Sequence, residues 1–198
     1  MNRILSGLVI AAGLFLAAGC DSPQKTPFNG VDVTGTDVGR ELKLNDFNGK
    51  VRSLDEFRGK VVLVTFGYTQ CPDVCPTTLQ DLNLAIRKLG SDASRVQVLF
   101  VTVDPKRDKP ELLREYVPAF NPTFIGLYGD EAATKKVETD FKVYAAEHPG
   151  KTPETYTVDH SAQTYAYDPQ GRLRLVIGYG FTPDAMASDL RLLLNAQG

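Results

Sequence analysis

Two nearly continuous apolar runs with a helical pattern between them constrain the fold of this chain most strongly. The runs "VVLVTF" (61–66) and "VQVLFVTV" (96–103) are rich in β-branched residues, which is typical of strands buried on both faces. Between them, apolar residues recur at helical spacing from Leu79 to Leu89, and Gly90 stands where a helix is expected to end. The sequence therefore predicts a strand, a helix and a second strand in succession.

The remaining patterns predict more strands and helices around this unit. Asp108 and Glu111 form a capping-box pattern that predicts a helix from Asp108 toward Tyr116, whereas residues 145–158 show no periodicity. Strands that alternate with helices and end in a hairpin and a helix predict an α/β domain, with a central mixed sheet flanked by helices. The other expected elements are a strand at 124–127, a helix from Asp130 to about Phe141, hairpin strands at 161–167 and 173–177 around "DPQGR", and a last helix from Thr182-Pro183 with Met186, Leu190, Leu193 and Leu194 facing inward.

Composition bounds the size of the domain and excludes some functions. The chain has 198 residues, of which 42% are hydrophobic, enough for the core of one domain with appendages. A net charge of −2 and a pI near 5.7 indicate no basic surface for nucleic acid. The chain has no GxGxxG or P-loop motif, and "GYGF" (178–181) is interpreted as a turn before the last helix.

Residues 1–19 have the pattern of a secretion signal. The apolar run from Ile4 to Ala18 is uncharged, and its length of about fifteen residues fits a signal peptide and falls short of the roughly 20 needed to span a membrane. The small residues before Cys20 resemble the lipobox of bacterial lipoproteins, although Ala17 stands where that motif usually has leucine. We therefore expect a lipoprotein signal peptide at 1–19 and lipid on Cys20; an uncleaved signal anchor is the alternative.

Residues 20–37 are expected to form the lipid anchor and a flexible tether. From Asp21 onward this segment is rich in Pro, Gly, Ser, Thr, Asp and Asn and has no apolar period. The folded domain is then expected at 38–198, close to a membrane surface. The lipobox resemblance implies the bacterial cell envelope, and Asp21 resembles an inner-membrane retention signal, so the expected location is the periplasmic side of the inner membrane.

Two of the three cysteines lie in "FGYTQCPDVCPTTL" (66–79), directly after the first buried strand. Pro72 disfavours helical backbone at Cys71, whereas Pro76 suits the first turn of a helix. Cys71 is therefore expected in a loop and Cys75 at a helix N terminus, where the helix dipole favours a thiolate. The residues alone leave three interpretations: a redox pair, a metal site and a structural disulfide, which would stabilise little because its loop is short.

A metal bound by two thiolates needs a further ligand, and the chain has two histidines. His148 lies in a segment flanked by proline and glycine and is interpreted as an exposed residue. His160 comes just before a predicted strand, after a long irregular segment of the kind that is often functional. His160 is thus the candidate third ligand, and a structural histidine is the alternative.

Three stretches resemble the signature sequences of the Sco/SenC family: "FGYTQCPDVCPTTL", "VTVDPKRDKPELLREY" (101–116) and "VDHSAQTYAYDPQGRL" (158–173). The resemblance implies a thioredoxin-like domain that binds one copper ion, as Cu(I) or Cu(II), through Cys71, Cys75 and His160. It also implies delivery of copper to the dinuclear centre of cytochrome c oxidase subunit II, reduction of that centre's cysteines, or both. Other copper chaperones and thiol reductants are further expected partners.

Other residues in these stretches bear on the same resemblance. Thioredoxin-type oxidoreductases have a cis-proline before the strand that here starts at Ser161, but this chain has His160 and no proline there. This difference agrees with a metal ligand at the position where those enzymes have the residue that holds the substrate. Asp104 and Asp108 also match the family, although a turn and a helix cap are sufficient to explain them. Asp159 is expected either to form a hydrogen bond near the cysteines and His160 or to cap backbone groups.

The predicted function is a membrane-tethered copper chaperone in which a disulfide between Cys71 and Cys75 abolishes copper binding. The main alternative is a thiol–disulfide reductase that uses the same redox pair without metal. A peroxiredoxin is disfavoured because those enzymes have Thr or Ser three positions before the reactive cysteine, where this chain has Pro72. A non-catalytic copper sensor is a further alternative function that the sequence does not exclude.

The lipid anchor generates a direct prediction. Cys20→Ala should release the protein from the membrane fraction into the soluble fraction, because the acyl chains attached at Cys20 would be lost. Immunoblots of fractionated cells measure this. Unchanged membrane retention would favour the uncleaved signal anchor.

Overall fold

A computed structural model of the protein describes residues 28–152 and 155–196. These residues form ten strands, four α-helices and 3₁₀ turns at Leu54–Phe57 and Gly90–Arg95. The strands are β1 (Val31–Asp32), β2 (Lys43–Asp46), β3 (Val51–Ser53), β4 (Val61–Gly67), β5 (Val96–Thr102), β6 (Ile125–Tyr128), β7 (Ala145–His148), β8 (Thr157–His160), β9 (Thr164–Tyr167) and β10 (Leu173–Ile177). The helices are α1 (Val74–Arg87), α2 (Pro110–Phe120), α3 (Glu131–Asp140) and α4 (Pro183–Asn195).

The two apolar runs form β4 and β5 at the centre of the main sheet. All seven residues of each strand are buried. The strands pair in parallel along their whole length, from Val61 opposite Val96 to Gly67 opposite Thr102. Parallel neighbours need a crossover connection, and α1 provides it. β6 adds a third parallel strand on the far side of β5.

Antiparallel strands complete the sheet on both sides. β9 pairs with β4, so that Thr164 lies opposite Thr65, and β10 and β1 follow outward. On the other side β2 pairs with β6, and β3 pairs with β2. The strand order is β1-β10-β9-β4-β5-β6-β2-β3. The predicted α/β class, the mixed sheet and the β9–β10 hairpin are confirmed.

Local signals predicted the starts of three helices correctly. α1 begins at Val74, which places Pro76 in its first turn. The side chain of Asp130 accepts a hydrogen bond from the N–H of Ala133 at the start of α3, and Thr182 caps α4 in the same way. The predicted inward face of α4 is also confirmed by the burial of Met186, Leu190, Leu193 and Leu194.

The predicted capping box at Asp108 and Glu111 is wrong. α2 begins at Pro110, and its N-cap residue makes no side-chain cap. Asp108 is only 1% exposed, and its carboxylate accepts hydrogen bonds from Thr69 and Thr102 instead. Its partners lie on other elements of the fold, which a local sequence pattern does not reveal.

Residues 145–160 contain regular structure that the sequence pattern does not show. β7 and β8 form a separate antiparallel pair, with Ala145 opposite His160 and His148 opposite Thr157. Val158 is the one buried residue of this pair of strands. Because so little of the hairpin contributes to the core, its sequence carries no apolar alternation.

The folded domain includes residues that were expected to belong to the tether. β1 pairs with β10, and the buried carboxylate of Asp189 accepts hydrogen bonds from the N–H groups of Asn29 and Gly30. The expected signal peptide at 1–19 and Cys20 lie outside the described residues. In the parts of the chain that are described, no helix has both the length and the apolar character to cross a bilayer.

Gly67, at the end of β4, leaves no room for a side chain. A Cβ atom there would lie 2.7 Å from the Sγ of Cys75 and 2.8 Å from Cε2 of Phe100. We expect Gly67→Ala to lower the free energy of unfolding by about 1–3 kcal/mol, the usual effect of overpacking a core. Denaturant unfolding measures the change. Gly178→Ala is the control, because a Cβ at 178 would meet no atom within 4 Å; equal losses in both variants would contradict the prediction.

Candidate metal centre

The two cysteines lie on either side of the start of α1. Cys71 is half-buried in the loop that follows β4, and Cys75 lies in the first turn of the helix with 3% of its surface exposed. The N–H of Cys75 donates to the Sγ of Cys71 at 3.4 Å. The predicted loop position of Cys71 and helix-start position of Cys75 are therefore confirmed.

His160 is the last residue of β8, and its ring reaches the cysteines. Its Nε2 lies 3.2 Å from the Sγ of Cys75, a residue 85 positions earlier in the chain. Its Nδ1 lies 3.0 Å from the carbonyl oxygen of Ser161. Since a carbonyl oxygen only accepts, Nδ1 donates to Ser161, and Nε2 is the ring nitrogen that faces the sulfur atoms.

The three side chains form a cluster of the right size for one metal ion. The Sγ atoms of Cys71 and Cys75 and a ring nitrogen of His160 lie within 4.8 Å of one another. Metal–sulfur bonds of about 2.3 Å and metal–nitrogen bonds of about 2.0 Å place two ligand atoms roughly 3.5–4 Å apart, so small side-chain shifts would close the site. Two thiolates and an imidazole suit copper or zinc, whereas magnesium and calcium prefer oxygen ligands.

Hydrogen bonding gives the two thiols opposite tendencies to ionise. The bond from the Cys75 thiol, together with the bond from His160, holds the pKa of Cys71 far below the ordinary thiol value, although burial opposes this. The same bond between the cysteines and deep burial raise the pKa of Cys75. Burial lowers the pKa of His160, but its hydrogen bonds to Cys71 and Ser161 outweigh that effect and raise it. The negative charge of the pair therefore resides on Cys71.

The site opens into a surface cleft of about 590 Å³. One wall is the loop from Cys71 to Val74, and the other is the segment from Thr157 to Ala162. Tyr144 also lines the cleft and is 61% exposed. A partner side chain can thus approach Cys71 and His160 from solvent, while Cys75 is buried behind them.

The second histidine lies apart from the cluster. His148 belongs to β7, and its half-exposed side chain has Nε2 2.9 Å from Oδ2 of Asp159. This position agrees with the interpretation of His148 as an exposed residue. Asp159 lines the cleft, but its carboxylate contacts His148.

Sequence reasoning missed Tyr68, which joins the two halves of the site. Tyr68 is 2% exposed, and its hydroxyl accepts a hydrogen bond from the N–H of Val158 at 3.3 Å. Its ring meets the ring of His160 edge-on, with centroids 5.9 Å apart. Tyr68 therefore packs β8 against the cysteine loop. In the sequence, Tyr68 stands out only because it lies between a buried strand and the cysteines. That position does not reveal that it contacts Val158 and His160.

Comparison with known protein families gives a result that agrees with this site. The family described as SCO1/SenC matches residues 32–195. A SCO2-like protein of Rickettsia prowazekii is 38% identical over 173 residues, which cover 85% of this chain and 84% of the relative.

Similar solved structures include two proteins with copper bound. ScoI of Bradyrhizobium japonicum with copper bound has a TM-score of 0.72 and 40% identity, and the match covers 79% of this chain and 99% of that one. Yeast Sco1 with copper bound has a TM-score of 0.75 and 30% identity, with 82% and 91% coverage. These similarities confirm the predicted thioredoxin-like fold.

The unequal thiol pKa values predict unequal reactivity. In a Cys20→Ser background, reduced Cys71 should react with iodoacetamide faster than Cys75 at about pH 6, because the thiolate is the nucleophile. Its rate should change little between about pH 6 and pH 8, whereas an ordinary thiol reacts about tenfold faster for each pH unit in that range. Mass spectrometry of digested protein gives the rate at each cysteine. A steep pH dependence at Cys71 would contradict the assignment of the charge.

Proposed function

Because this chain belongs to the SCO1/SenC family, we propose that it binds one copper ion as cargo through Cys71, Cys75 and His160 and passes the ion to a partner protein. The observation that carries the proposal is the approach of these two sulfur atoms and one imidazole nitrogen to within 4.8 Å, beside a cleft open to solvent. Two similar proteins, ScoI of Bradyrhizobium japonicum and yeast Sco1, have structures with copper bound, which favours copper over zinc.

Each ligand has a distinct task when the ion binds. Cys71 offers a thiolate before the ion arrives, in keeping with its lowered pKa. Cys75 gives up its proton on binding, so loading releases about one proton at neutral pH. The hydrogen bond from Nδ1 of His160 to the carbonyl of Ser161 orients the ring so that Nε2 can bind.

The arrangement suits transfer of the ion better than permanent storage. Three protein ligands leave one side of the ion toward the cleft, where a thiolate from a partner can enter before a ligand of this chain leaves. The half-buried Cys71 borders the cleft, whereas Cys75 lies deeper. Copper then passes by ligand exchange and is never released as a free ion.

Loading depends on the redox state of the cysteine pair. When the two Sγ atoms join in a disulfide, the dithiol loses two protons and two electrons, and a disulfide of another protein takes them up to become a dithiol. Both sulfur ligands are then lost to the metal. The reduced protein therefore binds copper and the oxidised protein does not.

The proposed recipient is the dinuclear copper centre of cytochrome c oxidase subunit II. A protein of the same fold, BsSco, is described as a member of the Sco family of cytochrome c oxidase assembly proteins. Other copper chaperones and thiol reductants are proposed to load and reduce the site. The proposed location is the periplasmic side of the bacterial inner membrane, with a lipid anchor at Cys20 and part of the 20–37 segment as the link.

A thiol–disulfide reductase for the same centre's cysteines is the second candidate. The lowered pKa of Cys71 and its place beside the cleft favour it, because an attacking sulfur must be ionised and accessible. His160 discriminates between the two functions, since dithiol exchange does not need a ring nitrogen as a ligand.

Substitution of the ligands tests the copper site. Cys71→Ser and Cys75→Ser should each remove copper from the reduced protein, because one thiolate and one imidazole hold the ion too weakly. His160→Ala should weaken copper binding by more than about tenfold, the loss that even an outer-shell contact can cause, and should alter the thiolate-to-Cu(II) absorption bands. Copper content by mass spectrometry, competition with a chelator and absorption spectra measure these effects.

His148→Ala is the matched control, since this histidine lies outside the cluster, and it should leave copper binding unchanged. Reduction of oxidised glutathione by each variant gives the second readout. If His160→Ala keeps the wild-type copper affinity and spectrum, the ligand assignment is wrong. If the wild type reduces disulfides but retains no copper, the reductase becomes the better description.

A further inference from the structure

One short turn contacts both halves of the proposed copper site. Residues 104–108 lie between β5 and α2 and carry two nearly inaccessible carboxylates, Asp104 at 2% and Asp108 at 1% exposure. Neither carboxylate caps α2. Each is instead hydrogen-bonded to a different part of the structure that surrounds the cysteines and His160.

Asp108 holds the loop that carries Cys71. Its Oδ1 accepts a hydrogen bond from the Oγ1 of Thr69 at 2.6 Å, and its Oδ2 lies 3.1 Å from the N–H nitrogen of the same residue. Oδ2 also accepts from the Oγ1 of Thr102 at 2.6 Å. Because Thr69 lies close before Cys71, these bonds tie the cysteine loop to the end of β5.

Asp104 holds the other half of the site through Arg107 and Tyr156. The Nε of Arg107 donates to Oδ2 of Asp104 at 2.5 Å, and the hydroxyl of Tyr156 donates to Oδ1 at 2.7 Å. Arg107 also donates to the backbone carbonyl of Tyr156 at 2.8 Å, and its guanidinium carbon lies 3.5 Å from the centroid of that tyrosine ring. Since Tyr156 directly precedes β8, these contacts fix the start of the strand that ends at His160.

Arg107 also reaches the cysteine side. The nitrogen that bonds to Tyr156 lies 3.1 Å from Oε1 of Gln70, the neighbour of Cys71. The guanidinium carbon lies 5.6 Å from the centroid of the Tyr68 ring, which packs against His160. The side chain of Arg107, 12% exposed, therefore bridges the cysteine loop and the residue that begins β8.

We propose that Arg107, held in place by Asp104, is a positioning residue that sets the distance between the His160 ring and the sulfur atoms of Cys71 and Cys75. The part that concerns copper rests on the proposed function, whereas the part that concerns geometry is a property of the chain alone. A planar guanidinium donates in several fixed directions and stacks on aromatic rings, so one arginine can hold both sides of the site at once. Substitution of Arg107 should loosen the packing of β8 against the cysteine loop. All three proposed copper ligands would still be present in the chain.

The first test uses Arg107→Gln without copper. In the reduced wild type, the contact between the rings of Tyr68 and His160 should give nuclear Overhauser effects between their protons. The variant should lose or weaken these signals, because β8 is no longer held against the loop. This readout does not depend on whether the protein binds copper.

The second test adds copper. Arg107→Gln should weaken copper binding about tenfold, the typical effect of losing an outer-shell partner, and should shift the Cu(II) spectrum toward that of His160→Ala. The matched control is Arg52→Gln, because Arg52 pairs with Asp46, another acid of 1% exposure, on the β2–β3 hairpin, which forms one edge of the main sheet while β4 lies near its middle. This control should lose comparable thermal stability with no change in copper affinity or spectrum.

Two more variants keep the proposal testable if Arg107→Gln does not fold. Combining Asp104→Asn with Arg107→Gln leaves no buried charge unpaired, and it should show the same spectral shift. Tyr156→Phe removes only the hydroxyl bond to Asp104 and should show a smaller shift. A folded double variant with wild-type ring contacts and wild-type copper affinity would overturn the proposal. The outcome could also separate the two proposals. If the ring contacts are lost without Arg107 but the wild-type protein binds no copper, the positioning role is upheld and the proposed function is rejected.

Discussion

The antiparallel pairing of β4 with β9 is the interaction on which the site depends. β4 ends at Gly67, just before the cysteine loop, and β9 begins at Thr164, opposite Thr65. Because the two strands run in opposite directions, the chain enters β9 at the same edge of the sheet where it leaves β4. His160, shortly before β9, therefore lies beside Cys75, although the two residues are 85 positions apart in the sequence.

Burial and hydrogen bonding then set the chemical state of the cysteine pair. A second thiolate in a buried position would be costly without a cation beside it, so Cys75 keeps its proton while Cys71 holds the negative charge at the cleft. A bound cation would remove that obstacle, because it compensates both thiolates. The lowered pKa of Cys71 also suits attack on a disulfide, so the difference between the two thiols agrees with the proposed copper binding and with the alternative dithiol exchange.

The hairpin that carries His160 is not part of the main sheet. Among the described strands, β8 pairs only with β7, so no ladder of backbone hydrogen bonds joins it directly to the strand that precedes the cysteines. Side chains hold β8 beside the cysteine loop, and Tyr68 and Arg107 each contact both sides. One of the three proposed copper ligands therefore lies on an element outside the main sheet that side-chain contacts hold in place.

The sequence alone determined the order of the strands β4, β5, β6, β9 and β10 and of the four helices, the caps at Asp130 and Thr182, and the position of the cysteines at a helix start. Apolar periodicity and proline geometry act within a few residues, so the local sequence is enough to determine these features. His160 could be proposed only from its place in the chain and from family resemblance. The β7–β8 hairpin, the buried role of Asp108 and the contacts of Tyr68 and Arg107 were decided by the tertiary structure, because their partners lie on other strands and loops. For the same reason, only the folded chain decided that an imidazole and two sulfur atoms meet at one edge of the sheet.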